Sequence, residues 1–444
     1  MSSTTDSVTE NDSGESGWRR PFLPLRNPRY RMYWLGMLAY FMAMNMGGIA
    51  RSWLAYDLSG KATALGLVSL AWGTPMVLFS LFGGAIADRS DKRRLTLASQ
   101  AAMFCVALAA AVLVQTGLIQ IWQLAVLAFI EGTIFSIAIP ARMAWVPELV
   151  EERDLMSSIA LNNGGMQATR VVGPALAGGL IALPFFGVTG AFYVVAACYV
   201  VVFLCLSRIP STGVSDKERD VSLTERMASG LRYIAGHDLM RLLLLLAFLL
   251  VMLGAPFQVM LPVFAGEEVF DVGSVGLGIM AMAAGIGATL GAFTVGSLAD
   301  RIGQARAQLL AGIGFGLALC LFGLARNFYM ALPVLALLGL TSTAYMVINN
   351  TLVFAHSSRQ FHGRVMSVYM LTWSIMPIAA MPITAIADVA GAQRVVFVLG
   401  VMLIGALLLT KALSSSYRRM DEMTSALIRQ REGVATEPEP AADS

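Results

Sequence analysis

Three ionisable side chains stand inside long apolar runs: Arg51, Glu131 and Arg170. A charge at the centre of a bilayer-crossing helix costs roughly 2.5–3.5 kcal/mol on insertion scales, so such groups are functional candidates by default. Desolvation raises the pKa of a carboxyl group and a nearby guanidinium lowers it, so the balance decides whether a buried acid holds or sheds a proton. Glu131 and Arg170 fall near mid-depth of consecutive runs, and Arg51 falls nearer the outer third of the first. Two readings stand. In one, Glu131 is a protonatable acid that follows substrate or cavity exposure, with Arg170 tuning it. In the other, the two form a permanent structural ion pair.

The elements that must hold these groups are set by composition. Of 444 residues, 57% are hydrophobic and 13% charged, with a mean hydropathy of +0.69. A soluble domain carries about 25% charged residues, so this apolar excess has no soluble core to hide in. A bilayer core needs roughly 20 apolar residues per helix. Twelve such stretches are present, near 31–57, 62–87, 95–115, 120–141, 157–182, 187–207, 241–264, 273–299, 307–325, 328–353, 363–388 and 392–412. They are continuously apolar, whereas barrel strands alternate. The basic residues orient them. With both termini cytoplasmic, all but five of the 31 Lys and Arg lie on the cytoplasmic side. Lys61, Arg326 and Arg394 lie opposite, and Arg51 and Arg170 lie within spans. Arg142 is counted after span 4, although the chain from Pro140 to Pro147 could either extend that span or leave it. The four cysteines show no CxxC and no Cys/His cluster, so no metal or cofactor is expected. The small net charge, +3, and the absence of a basic domain leave no nucleic-acid role.

The chain divides into a disordered tail (1–29), a six-helix bundle (30–207), a polar linker (208–240), a second bundle (241–412) and a cytoplasmic tail (413–444). Residues 1–17 lack the apolar core of a signal peptide. Linker residues 222–234 place Leu223, Met227 and Leu231 on one face, as in a helix lying on the membrane surface. The halves are alike. GGAIADRSDKRR ends span 2 and VGSLADRIGQAR ends span 8, aligning Gly84, Asp88 and Arg89 with Gly296, Asp300 and Arg301 at an offset of 212. Met156, Ser157 and Leu161 align with Met366, Ser367 and Leu371 at an offset of 210. Parallel repeats of six spans put a substrate site near the midplane between halves.

Gly84-x-x-x-Asp88-Arg89-x-x-Lys92-Arg93-Arg94 resembles the loop 2–3 signature of the major facilitator superfamily, with Asp91 where that signature has Gly. RNPRYRMYWLG, ARSWLAYDLSG, IPARMAWVPELVEERDLMSSIALN, RVVGPALAGGL and GRVMSVYML resemble the branch holding enterobactin exporters and macrolide efflux pumps. Gly173-Pro174 and Gly178 are similar to the span-5 antiporter signature, a helix-packing element, with Thr169 in place of its earlier glycine. The span-4 Arg of many efflux members is replaced by Ala128. The resemblance implies an all-α membrane protein of two pseudo-symmetric six-helix bundles. It also implies a cytoplasmic gate at Gly84, Asp88, Arg89, Lys92, Arg93, Arg94, Gly296, Asp300 and Arg301. There Asp88 would face the positive end of span 11 near Gly363, and the basic run would pair with acids or lipid phosphates. Asn45, Asn162, Gln167, Gln258, Tyr345, Asn349 and Trp373 sit in helices that line the cavity in this superfamily, with helix–helix hydrogen bonds as the alternative.

The expected function is secondary active export of small amphipathic molecules, drug- or siderophore-like, by alternating access against proton entry. The protein would work as a monomer in the inner (plasma) membrane. A nutrient importer of the same fold is the alternative, and a membrane receptor or sensor is the alternative from another class. An enzyme is not expected, because no HExxH or GxSxG motif or paired aspartates occur on any span. A GxxxxGK[ST] phosphate loop is also missing, which disfavours a primary pump.

Overall fold

The structure is a computed structural model. It describes residues 20–210, 229, 231–358 and 361–414. The side chains at 20, 21, 80–85, 87–89, 297, 298, 300, 367, 370, 371 and 373 lie outside that description. So do most of both expected tails and residues 222–228 and 230 of the linker helix expected over 222–234.

Helices α1 (Pro28–Ser59), α2 (Ala62–Arg89), α3 (Lys92–Gln115), α4 (Ile121–Leu149), α5 (Leu155–Ala182) and α6 (Gly187–Ser207) form the first half. The second half holds α7 (Asp238–Ala265), α8 (Gly273–Ile302), α9 (Gln304–Gly323), α10 (Phe328–His356), α11 and α12 (Ala392–Leu413). Helix α11 comes in two segments, His362–Ser374 and Met376–Ala390. Among the described residues nine helices are long and apolar enough to cross a membrane. The remaining three are α1 and α5, which carry Arg51 and Arg170, and the divided α11. The set is consistent with twelve crossings.

Local chemistry sets the helix ends. The Asn27 side chain accepts from the Arg29 N–H at 2.9 Å, and Pro28 sits in the first turn, where its missing N–H costs nothing. Gly60, at φ 64°, closes α1 in a left-handed conformation. Asp91 caps α3 by accepting from the Arg94 N–H at 3.1 Å. That role accounts for an acid where the family signature has glycine. In α7 a π turn over Leu250–Gly254 precedes Pro256, and α11 breaks at Ile375, just before Pro377. Both sites lie where proline removes a helical hydrogen bond. One expectation is corrected. Helix α4 continues through Pro140 and Pro147 to Leu149, so Arg142 lies inside it, 6% exposed, and not in a connector.

The halves repeat each other's packing. Helix α1 packs on α5 and α6, α2 on α4, and α3 on α4 and α6. Likewise α7 packs on α11 and α12, α8 on α10, and α9 on α10 and α12. The halves meet along two seams, α2–α11 and α5–α8. Glycines set both. Gly66 lies against Met381 and Thr384, and Gly73 against Pro377. On the other seam a Cβ at Gly278 would fall 2.6 Å from the Pro174 carbonyl oxygen, and one at Gly285 3.0 Å from that of Arg170. Gly66 and Gly278 differ by 212 positions, as do Gly73 and Gly285. The internal offset therefore extends to the residues that join the halves.

The α5–α8 seam is closed at one end only. The α5 face through Gly178, Pro174 and Val171 continues to Gly164 and Ala160. The α8 face through Gly278 and Gly285 continues to Ala292 and Gly296. A Cβ at Gly164 or Gly296 would meet nothing within 4 Å, and Ala160 and Ala292 are exposed. Phe293, beside them, is 82% exposed. The two helices touch at the face away from the basic loops and part toward the basic face.

Candidate functional site

The buried acid has a partner, and it is not the one on the next helix. Glu131 of α4 forms an ion pair with Arg51 of α1, the side chains 17% and 18% exposed. Arg51 lies eight residues from the end of α1 and Glu131 ten from the start of α4, about 12 and 15 Å from the same face at 1.5 Å per residue. The expectation of a Glu131–Arg170 pair is corrected accordingly. Helix α4 packs chiefly on α2 and α3, and α5 on α1 and α8, so α4 and α5, though consecutive in sequence, are not close neighbours. Arg170 is exposed, with no carboxylate at ion-pair distance among the described residues, and its backbone carbonyl lies against Gly285 on the α5–α8 seam.

Arg51 faces two cavities. One, about 30 Å³, lies within the first half and is lined by Arg51, Glu131, Tyr199 and apolar side chains of α3 and α6. That volume admits a water molecule or two. The other, about 150 Å³, lies between α1, α2 and Val259 of α7, so it bridges the halves; Arg51, Ser52, Ser69 and Trp72 supply its polar groups. One guanidinium thus stands between a buried carboxylate and the space between the bundles. A ligand anion entering the larger cavity would compete with Glu131 for Arg51.

The other candidates separate by environment. Asn45 donates to the Phe41 carbonyl at 2.8 Å, and its Cβ stands where Gly173 lets α5 approach α1. Asn162 has a buried carbonyl oxygen without a hydrogen-bond partner, and Gln167 is half-buried on the α5 seam face. Gln258 is exposed on α7. Tyr345 and Asn349 are corrected as cavity groups. Tyr345 is 1% exposed and donates to the Leu246 carbonyl at 3.1 Å, and Asn349 is fully buried and accepts from Gln308 at 2.7 Å. Both join helices inside the second half. Pro174 and Gly178 pack against α8. The Trp373 side chain lies outside the described residues.

Of the expected gate, the side chains of Gly84, Asp88, Arg89 and Asp300 also lie outside the described residues. Lys92 pairs with Glu148 of α4, and Arg93 donates to the Ser207 carbonyl of α6 at 2.6 Å. These two tie the first half to itself and do not cross to the second. Arg94 is 85% exposed and approaches Asp91 at 3.9 Å. Arg301 and Gly296 are exposed.

Two features escaped the sequence reading. Arg142 is buried with its guanidinium 3.9 Å from the Tyr40 ring centroid, a cation–π contact that helps make its charge tolerable where no carboxylate pairs with it among the described residues. The signal was an Arg between Pro140 and Trp145 in a run that α4 could extend into. The second is Asp388. Its carboxylate accepts from the Ala62 N–H at 2.6 Å and the Thr63 N–H at 3.0 Å, across 326 and 325 residues of chain.

The family described as transmembrane secretion effector matches residues 19–439. The chain belongs to that family, within the major facilitator superfamily. The staphyloferrin A transporter of Staphylococcus aureus (strain NCTC 8325 / PS 47) is 25% identical to it over 364 residues, covering 81% of this chain and 90% of that one. The enterobactin exporter of Escherichia coli O1:K1 / APEC is 25% identical over 342 residues, 76% of this chain and 80% of that one. Among solved structures, a nucleoside transporter superposes with a TM-score of 0.69 at 13% identity, covering 88% of this chain and all of that one. A bacterial homologue of the iron transporter ferroportin in an inward-facing state gives 0.67 at 15% identity, covering 89% and 99%. These superpositions establish a shared fold. The protein is a multi-pass membrane transporter of small molecules and not an enzyme.

Proposed function

We propose that this transporter is a secondary active exporter of small amphipathic molecules, siderophore-like and bearing acidic groups, in which protons enter as substrate leaves. The observation that carries the reading is the Arg51 guanidinium, paired with Glu131 and also lining the cavity between the halves. An acidic substrate loaded from the cytoplasm draws on Arg51 and leaves outward; Glu131 then takes a proton from the outer side, carries it inward on the empty return and releases it to the cytoplasm as its pair with Arg51 re-forms. The names of the relatives, a staphyloferrin A transporter and an enterobactin exporter, support the substrate class and direction. The distribution of basic loops supports an inner-membrane orientation with both termini cytoplasmic. In that orientation the open α5–α8 seam faces the cytoplasm, where an exporter loads. The protein works as a monomer, its basic loops against lipid phosphates.

The test is movement of an iron-free hydroxycarboxylate siderophore, a catecholate siderophore and a cationic dye into inverted vesicles, with and without an acid-inside gradient. Gradient-driven accumulation of an acidic compound, lost in Glu131→Gln, is the expected result. Efflux from the same vesicles under the same gradient would assign an importer. Movement of none of the three under any gradient would overturn the reading.

A further inference from the structure

Asp388 belongs to no motif and lies outside the cavities, yet it makes the most specific polar contact between the two halves. It stands two residues before the end of α11 and is exposed. Its two carboxylate oxygens accept from consecutive backbone N–H groups in the first turn of α2, Ala62 at 2.6 Å and Thr63 at 3.0 Å, and Thr63 adds its hydroxyl as a third donor. The cap residue of α2 itself, Lys61, supplies no side-chain acceptor. A helix begins with N–H groups that have no partner in their own helix and with the positive end of its dipole. Here the missing cap comes from the opposite bundle.

The internal repeat shows what is particular about this contact. Position 62 shifted by 212 is Ser274, in the first turn of α8, and position 388 shifted back by 210 is Gly178, near the end of α5. Ser274 and Gly178 do meet, the serine hydroxyl donating to the Gly178 carbonyl at 3.2 Å. The two seams therefore close at equivalent points. One uses small residues and a neutral hydrogen bond, the other a carboxylate on a helix start. The carboxylate contact exists only while α2 and α11 are together at this face. Nearby, Tyr56 at the end of α1 lies against Gly266 beyond α7, so the same face is closed at the α1–α7 contact as well.

We propose that Asp388 is a clasp for the face opposite the basic loops, the outer face in the orientation proposed above. It holds that face closed and must release the α2 N-terminus for the face to open. It rests on alternating access and not on any substrate or on proton coupling. It also mirrors the expected gate. Asp88 ends α2 at the basic face and was read as facing the start of α11, and Asp388 ends α11 and caps the start of α2.

The experiment is a pair of spin labels at Leu118 and Leu324, exposed positions after α3 and α9 in opposite halves, with the four native cysteines replaced by serine or alanine. Distance distributions are recorded in lipid nanodiscs without substrate. Loss of one helix cap predicts that Asp388→Ala lowers the closed-to-open ratio at this face about fivefold. Thr63→Val, which removes only the hydroxyl donor, lowers it about twofold in the same direction. If Asp388→Ala fails to reach the membrane, Asp388→Asn and Thr63→Val decide, because each keeps side-chain size and removes charge or a donor. A plain capping role in folding predicts lower melting temperatures with an unchanged distance distribution. That outcome overturns the proposal, as does an unchanged ratio in the well-folded variants.

Discussion

The Arg51–Glu131 pair makes a quantitative prediction about both stability and coupling. Glu131→Gln removes the only carboxylate at ion-pair distance from Arg51 among the described residues, and both side chains are more than four-fifths buried. Breaking a fully buried pair from one side costs roughly 3–5 kcal/mol; with water admitted by the flanking cavities, about 2–3 kcal/mol is expected here. Replacing both partners by apolar residues of similar size, Arg51→Met with Glu131→Leu, leaves no stranded charge and should fall within about 1 kcal/mol of the parent. With Arg51→Met and Glu131→Leu each costing about 2–3 kcal/mol alone and the double within about 1 kcal/mol of the parent, the cycle should report a coupling of roughly 3–7 kcal/mol, far outside additivity.

Reversible unfolding in mixed micelles titrated with sodium dodecyl sulfate gives the free energies, and vesicle transport gives the second axis. The double variant should fold and insert but, lacking both the Arg51 guanidinium and the Glu131 carboxylate, should lose gradient-driven accumulation of the acidic compound. Additive single-variant costs would show that the two groups are not energetically paired. A double variant that keeps full gradient response would show that the pair is a structural feature and that protons travel elsewhere.

The seam glycines predict a different defect. Gly73→Leu places a side chain where Pro377 stands, so it should weaken the closed state of the α2–α11 seam by about 1–3 kcal/mol and abolish transport while leaving membrane insertion intact; the Leu118–Leu324 label distance checks it. Gln308→Leu or Asn349→Leu alone strands a buried amide and should cost about 1–3 kcal/mol, whereas the double variant should be close to neutral, with substrate profile unchanged in all three. Unfolding in the same micelles measures the first part and competition transport the second. Asp88→Asn should cut transport strongly with normal membrane abundance, as shown by immunoblotting beside a vesicle assay.

How far the sequence could be read depends on the range over which each signal acts. Span number, repeat and architecture follow from apolar runs, from basic residues between them and from local matches such as Gly84 with Gly296, all of which are properties of short windows. The partner of a charge is a property of packing order. Glu131 and Arg51 are 80 residues apart, on helices that nothing in their local sequence brings together, while Arg170 on the next helix was the plausible neighbour and is not. Tyr345 and Asn349 show the same limit, since a polar group in an apolar helix looks identical from sequence whether it faces a cavity or a neighbouring helix. Arg142 was miscounted because proline usually ends helices in water, whereas α4 runs on through Pro140 with neighbours to support it.

Asp388 shows how the limit can be narrowed. Its role becomes visible once the offsets that match Gly84 with Gly296 and Met156 with Met366 are applied to every seam position, because they send Ala62 to Ser274 and Asp388 to Gly178, which also touch. A duplicated fold predicts contacts in pairs. Where the paired residues differ in chemistry, as carboxylate and glycine do here, the chain has departed from its own symmetry. The pseudo-dyad of parallel repeats runs along the membrane normal, so it relates the two seams to each other and leaves the two faces distinct. Both seams close at the Asp388 face, one through a neutral hydrogen bond and the other through a carboxylate on a helix start, so the charged clasp adds to the closed state of that face a contribution its repeat partner lacks.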